Sequence, residues 1–177
     1  MQWTVRSDRS LYSDQWLDLR LADVELPDGR HLDHRLIRMA PSAGALVVDD
    51  RDRVLLIWRH RFITDRWGWE IPMGGIADGE APVEAAAREV EEETGWRPHQ
   101  LRPLAYLQPT SGILDAAHHV FVADGATRVG DPADGFESAR IAWIPLEDAS
   151  GLIDKGEIVS STTATGMLYL LCAKRRR

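Results

Sequence analysis

The stretch Pro82 to Gly95, PVEAAAREVEEETG, leaves this chain the fewest structural options. Pro82 suits the first turn of a helix, where its missing N–H costs nothing, and Gly95 suits the left-handed residue that ends one. Between them Val83, Ala86, Ala87, Val90 and Thr94 recur at helical spacing, which predicts a helix over Pro82–Thr94 lying on a core. With Val83 at zero, Glu92, Glu89 and Glu93 fall at about 180°, 240° and 280°, away from that stripe. Like charges three and four residues apart repel by a few tenths of a kcal/mol per pair, so a helix built for stability alone would interleave lysines there. A hard divalent cation removes the repulsion, and oxygen ligands completed by water or phosphate suit Mg²⁺ or Mn²⁺. A plain acidic surface helix would show the same pattern. Glu84 and Glu91 flank this face and read as solvated charges, with Glu84 four residues before Arg88 and able to pair with it.

Strands dominate what precedes the helix. Residues 14–26 alternate, with Leu17, Leu19 and Leu21 on one face, and Pro27-Asp28-Gly29 turns them into a second alternating run ending near Met39. Ala43–Val48, an acidic turn at Asp49–Asp52 and Val54–Trp58 predict two more strands. After the helix come candidate strands Leu104–Gln108, His118–Ala123 and Ala139–Ile144. A short helix around Leu146–Lys155 and a terminal one around Ser161–Ala173 complete the order. Strands, helix, strands, helices describe an α+β chain with a mixed sheet and not a doubly wound one.

At 177 residues the chain is one domain, or one with a small appendage. The single Cys172 can form no internal disulfide and no multi-cysteine zinc site, which points to a reducing compartment. A net charge of −7 argues against non-specific binding to nucleic acid or anionic membrane. The basic run Lys174–Arg177 reads as a solvated tail at a helix end. No apolar run has the length of a membrane span, and the first residues lack the apolar core of a signal peptide, so a cytoplasmic location is expected.

The residues before the helix, Trp69-Glu70-Ile71-Pro72-Met73-Gly74-Gly75-Ile76-Ala77-Asp78-Gly79-Glu80, form a glycine-bearing loop that can bring backbone groups close to a ligand. Together, Gly74, Glu80 and Arg88-Glu89-Val90-Glu91-Glu92-Glu93-Thr94-Gly95-Trp96 resemble the 23-residue signature of the Nudix hydrolases. All its polar and glycine positions agree. The one departure is Trp96, where the family usually has Ile, Leu or Val.

The resemblance implies a Nudix-type mixed sheet sandwiched between helices (α/β/α), and hydrolysis of a nucleoside diphosphate linked to another group. It implies Glu89, Glu92 and Glu93 as metal ligands, with the carbonyl of Met73 as a further one and Mg²⁺ as the ion, Mn²⁺ as a substitute. Glu89, Glu93 and Arg88 would be catalytic, with Arg88 and Glu80 holding the carboxylates in place. Backbone groups of Gly74 and Gly75 would face the substrate. Residues 1–40 become an N-terminal β-hairpin extension that builds a homodimer, and 41–177 the hydrolase domain with its box at 74–96.

The early hairpin ending LPDGR, the run VLLIWRHRF, WEIPMGG, and IAWIPLEDA with KGEIVSSTTATGMLYLL resemble the branch that cleaves ADP-ribose and related nucleotide sugars. The proline-bearing loop Gln108-Pro109-Thr110-Ser111-Gly112 resembles the same branch. In that branch an aromatic of the first strands stacks on adenine. Trp16 occupies such a position, and an edge-strand or dimer-interface tryptophan would look the same. His34 stands where some relatives have a second aromatic. Arg59 and Arg61, two apart on a strand, share one side and could clamp a phosphate or sugar, or lie on an exposed face.

The resemblance places the general base on the loop before RIAWIP, where Glu137 is the nearest match and Asp115, Asp131 and Asp134 are rivals; Arg140 replaces a second glutamate usual there. Other readings are a Nudix enzyme acting on nucleoside triphosphates or another nucleotide, and a non-catalytic nucleotide sensor. An intact box and the lack of room for a helix-turn-helix count against the sensor, and the place of Cys172 in the last helix counts against an isomerase of this fold.

Overall fold

A computed structural model describes residues 1–133 and 138–174. In chain order the first strands are β1 (Thr4–Ser13), β2 (Leu17–Glu25), β3 (His31–Met39), β4 (Ser42–Val48), β5 (Arg53–Arg61), β6 (Arg66–Glu70) and β7 (Met73–Gly75). Helix α1 (Pro82–Thr94) follows, then β8 (Trp96–Pro98), β9 (Arg102–Leu107), β10 (Leu114–Asp115), β11 (His118–Asp124), β12 (Ala126–Arg128) and β13 (Arg140–Pro145). A 3₁₀ turn at Leu146–Asp148 leads into α2 (Ala149–Asp154) and α3 (Ser161–Lys174). The chain forms two compact units, Met1–Pro41 with Gln108–Ala117, and Ser42–Leu107 with His118–Arg177.

The first unit is a sheet in the order β1-β2-β3-β10. The turn falls at Pro27-Asp28-Gly29 as the sequence predicts: Gly29 adopts φ +83°, and its N–H donates to the carbonyl of Leu26 at 2.9 Å. β1 is a strand the alternation did not reveal. TVRSDRSLYS has few apolar residues and is almost wholly exposed, so nothing in it marks a buried face. Side-chain pairing joins the strands: Asp8 of β1 takes Arg20 of β2 at 2.6 Å and Arg38 of β3 at 3.1 Å. Ion pairs at or near the surface contribute about 0–1 kcal/mol each.

The second unit carries the central sheet, β13-β5-β4-β11-β9, with β6 paired to the far half of β5 and β7 to the start of β4. β4 is antiparallel to β5 and parallel to β11, which makes the sheet mixed. Period-2 alternation sends side chains to two cores. Ala43, Ala45, Val47 and Leu55 pack with Ala85, Ala86 and Val90 of α1 on one face. On the other, Leu46, Val48, Val54 and Leu56 pack with Met167 of α3 and with Leu146, Ala149 and Ile158. This is the α/β/α sandwich. Burying each such leucine or valine contributes roughly 1.5–3 kcal/mol. α3 packs tightly on β4 at Gly166, where an added Cβ would lie 2.7 Å from Cδ1 of Leu46. Among the described residues no helix is long and apolar enough to cross a membrane.

Helix α1 has the expected bounds, but its buried face is rotated. Ala85, Ala86, Val90, Glu93 and Thr94 are buried while Val83 is 39 % exposed. The apolar stripe from Val83 is therefore corrected toward the carboxylates. Glu93 can join the buried side because its oxygens find partners there. Glu84 does not pair with Arg88 either; its carboxylate accepts the N–H of Ala81 at 3.1 Å and caps the helix start. β6 likewise went unread, because RWGWE carries a glycine and two charges in what looks like a loop.

Candidate active site

Four pieces of the second unit supply the site: the last turns of α1, β7, the far end of β5, and β6. Arg88 organises the exposed half. Its Nε donates to Glu80 Oε1 at 2.9 Å, Nη1 to Glu89 Oε1 at 2.7 Å and to Glu92 Oε2 at 2.9 Å. Nη2 donates to Glu80 Oε2 at 3.1 Å and to the carbonyl of Gly75 at 2.9 Å. Every N–H of the guanidinium is thus used. Those contacts, led by the bond to Glu80, raise the Arg88 pKa above its ordinary value. Glu80 is pushed down to about 2, first by Arg88 and then by the N–H of Ala77, which donates to it at 2.9 Å.

Glu93 forms the buried half and is only 4 % exposed. Its Oε1 accepts from Arg59 Nη1 at 2.8 Å, and its Oε2 accepts the N–H of Met73 at 2.9 Å. Arg59 is nearly buried too, its side chain 12 % exposed. Arg61, two residues on, reaches the buried Glu70 through Nε at 3.0 Å and Nη2 at 2.6 Å. Both strand arginines of the phosphate-clamp reading therefore already hold carboxylates. Glu70 was not singled out in the sequence; only its partner across the β5–β6 hairpin reveals it. The loop between β6 and β7 is further pinned by Thr163 of α3, whose Oγ1 accepts the N–H of Ile71 at 3.1 Å.

The two box glycines do different work. An added Cβ on Gly74 would lie 2.3 Å from Oε1 of Glu89, so the carboxylate sits directly against the backbone. Gly75 has open space around it and lends its carbonyl to Arg88.

Among the described residues no three His, Cys, Asp or Glu already converge on one point that could hold an ion. The donor chemistry nonetheless fits one. Glu89 and Glu92 both reach a single positive centre, Arg88 Nη1, and Glu80, Glu89 and Glu92 together outnumber the one guanidinium they share. Hard carboxylate oxygens gathered in this way suit Mg²⁺ or Mn²⁺.

The other candidates are placed less closely. Trp16 is not on a strand but in the turn between β1 and β2 of the first unit, 71 % exposed, its N–H donating to Asp14 at 2.7 Å. His34 of the same unit contacts the carbonyl of Gly112 at 3.0 Å through Nε2. Asp115 also belongs there, in β10, and accepts from Gln108 at 3.5 Å. Asp131 is exposed and paired with Arg128 at 2.6 Å. Glu137 and Asp134 lie outside the described residues. The flanks of their segment are placed: the N–H of Ala133 donates to the carbonyl of Glu92 and that of Ala139 to the carbonyl of Trp58, each at 2.8 Å.

Residues 38–163 match the NUDIX domain, and residues 3–37 match the nucleoside diphosphate sugar hydrolase N-terminal domain. The chain is 45 % identical over 172 residues, 97 % of its length and 83 % of the relative's, to a CMP-5'-(N-acetyl-N-hydroxy-3-aminopropyl)phosphonate hydrolase of Streptomyces rubellomurinus. It is 30 % identical to the ADP-ribose pyrophosphatase of Bacillus subtilis, covering 90 % of this chain and 88 % of that one. A crystal structure of an ADP compounds hydrolase has the same fold, with a TM-score of 0.81 at 19 % identity, covering 96 % and 92 % of the two chains.

Proposed function

The chain belongs to the Nudix family and is a pyrophosphohydrolase of the ADP-ribose pyrophosphatase type, and on that premise we propose that it cleaves the diphosphate of ADP-ribose or a related nucleotide sugar with Mg²⁺ or Mn²⁺. Water attacks one phosphorus, the bridging P–O bond breaks, and a nucleoside monophosphate and a sugar phosphate leave. The observation that carries this reading is the pair of carboxylates, Glu89 and Glu92, gathered on one guanidinium nitrogen beside Gly74.

Glu89, Glu92 and Glu93, with the Met73 carbonyl, would hold the ion. When bound, it neutralises the diphosphate and makes a water more acidic. Arg88 keeps the carboxylates in register through its five bonds, and the buried Arg59 holds Glu93 on the strand side. Backbone groups at Gly74 and Gly75 face the substrate. Glu137 takes the proton from water; Ala133 and Ala139, which flank its stretch of sequence, bond to the carbonyls of Glu92 and of Trp58, the neighbour of Arg59, and this supports that role. Trp16 stacks the base in this reading, and Arg61 grips the distal sugar once it exchanges from Glu70. The enzyme works as a cytoplasmic homodimer on small nucleotides. The exposed edge strand β1, bearing Val5 and Leu11 and preceded by the exposed Trp3, supports the dimer.

A second reading rests on the Streptomyces relative: at 45 % identity over nearly the whole chain it favours cytidine monophosphate joined to a phosphonate as substrate. A panel of ADP-ribose, a CMP-linked phosphonate, guanine nucleotide sugars and ATP, followed by phosphate-coupled detection, tests both. Cleavage of ADP-ribose with the highest kcat/KM supports the first reading, and preference for the cytidine compound supports the second. Hydrolysis of none overturns both.

A further inference from the structure

Trp96, the one residue at which the box departs from the family pattern, occupies a place the reaction does not use. It packs edge to face with Trp143, ring centroids 5.4 Å apart at 89°. Both rings line a cavity of about 940 Å³ that lies wholly within the second unit, and Tyr169, 56 % exposed, lines it too. The cavity borders Val48 at the end of β4 and Arg53 at the start of β5. The candidate active site uses the opposite ends, where Gly44 pairs with Met73 and Arg59 and Arg61 close β5. The six strand steps from Arg53 to Arg59 put roughly 20 Å between the two places. A volume of this order is that of sites enclosing small organic molecules.

Charge decides what such a cavity can hold. Asp49, Asp50, Asp52 and Asp124 border it, against Arg53, Arg102 and Lys174. Each of those cations is already taken: Arg53 by Asp49 at 2.6 Å, Arg102 by Asp124 at 2.6 Å, and Lys174 by Asp52. His99 engages the carbonyl of Asp124 through Nδ1 and Thr127 Oγ1 through Nε2. Asp50 makes no ion pair with any described residue. Among the described lining residues a phosphate would meet one more negative charge than positive and no arginine or lysine outside an ion pair, which favours a cation over an anion here. A flat organic cation would meet aromatic rings and an unpaired carboxylate, which attract it together.

We propose that this cavity is a second binding site, for a singly charged organic cation bearing an aromatic ring, an arylalkylamine. Tryptamine, indole-3-acetamide and indole-3-acetate share one ring and differ in charge, and serve as probes on the full chain. Titrations followed by nuclear magnetic resonance read the indole N–H signals of Trp96 and Trp143. Tryptamine is expected to shift both saturably, about tenfold more tightly than the neutral amide, and the acetate to leave them in place. Asp50→Asn, in an exposed turn, lowers tryptamine affinity about tenfold without changing nucleotide turnover. Trp96→Leu, which restores the family's residue type, and Tyr169→Ala weaken it as well. Equal binding of amine and acetate overturns the proposal. So does an unchanged affinity in both Asp50→Asn and Tyr169→Ala, or the absence of saturation by tryptamine at millimolar concentration.

Discussion

The Glu89 carboxylate rests against the Cα of Gly74 so closely that a methyl group there would lie 2.3 Å from Oε1. Gly74→Ala is therefore expected to swing Glu89 away from Arg88 while leaving the sheet intact. Displacing an oriented ligand lowers metal affinity or turnover by about 10–100-fold. Turnover measured against Mg²⁺ concentration checks this; an alanine enzyme with wild-type metal dependence would show that Glu89 is not positioned by the glycine.

Arg59 touches Glu93, and the two are buried together. Arg59→Ala is expected to lower kcat about 10–100-fold with little change in KM, because it acts through the carboxylate and not on the nucleotide. Glu93→Gln should cost more than that, whereas Glu91→Gln, whose partner is Arg97, should be nearly silent. Steady-state kinetics decide: a raised KM at unchanged kcat puts Arg59 on the substrate instead.

Glu80 has its pKa lowered to about 2 by Arg88. A carboxyl depressed on folding stabilises the protein above its ordinary pKa, near 4.5, and loses that contribution as pH falls through the window down to about 2. Glu80→Gln should thus be less stable than the wild type at neutral pH, with the gap closing in acid across that window. Urea unfolding of both proteins over the pH range measures it, and a pH-independent gap refutes the pairing.

Much of this arrangement was legible beforehand, and unevenly so. Helix α1 announced itself through Pro82, Gly95 and its period, and the carboxylates through their spacing. The wheel could not tell that Glu93 turns inward, because that depends on Arg59 and the Met73 N–H, both distant in sequence. The same limit hid Glu70: two arginines at i and i+2 reveal a shared side, not what waits there. β1 escaped because an exposed edge strand has no apolar face to alternate.

Substrate choice turns on Trp16 in the β1–β2 turn. If it stacks the base, Trp16→Ala should raise KM for ADP-ribose about 5–150-fold, the value of one stacked base, with kcat held. An unchanged KM, or a cytidine substrate preferred tenfold, removes ADP-ribose and leaves the family assignment standing.

The dimer reading is tested on the intact chain. Val5→Asp with Leu11→Asp places charges on the exposed strand β1 and should dissociate the protein to monomers at micromolar concentration. Sedimentation velocity reads the mass; a wild-type monomer contradicts the homodimer outright.

β4 and β11 lie side by side in parallel, yet the ladder joins Ser42 to His118. A ribosome adding about 5–20 residues per second needs roughly 4–15 s to deliver the second strand after the first. For that interval the greasy edge of β4 waits without its neighbour, a template for any other nascent copy nearby. Growth at a temperature that slows synthesis lengthens the wait, and chaperone demand during production should follow the clock of translation more closely than the stability of the finished enzyme.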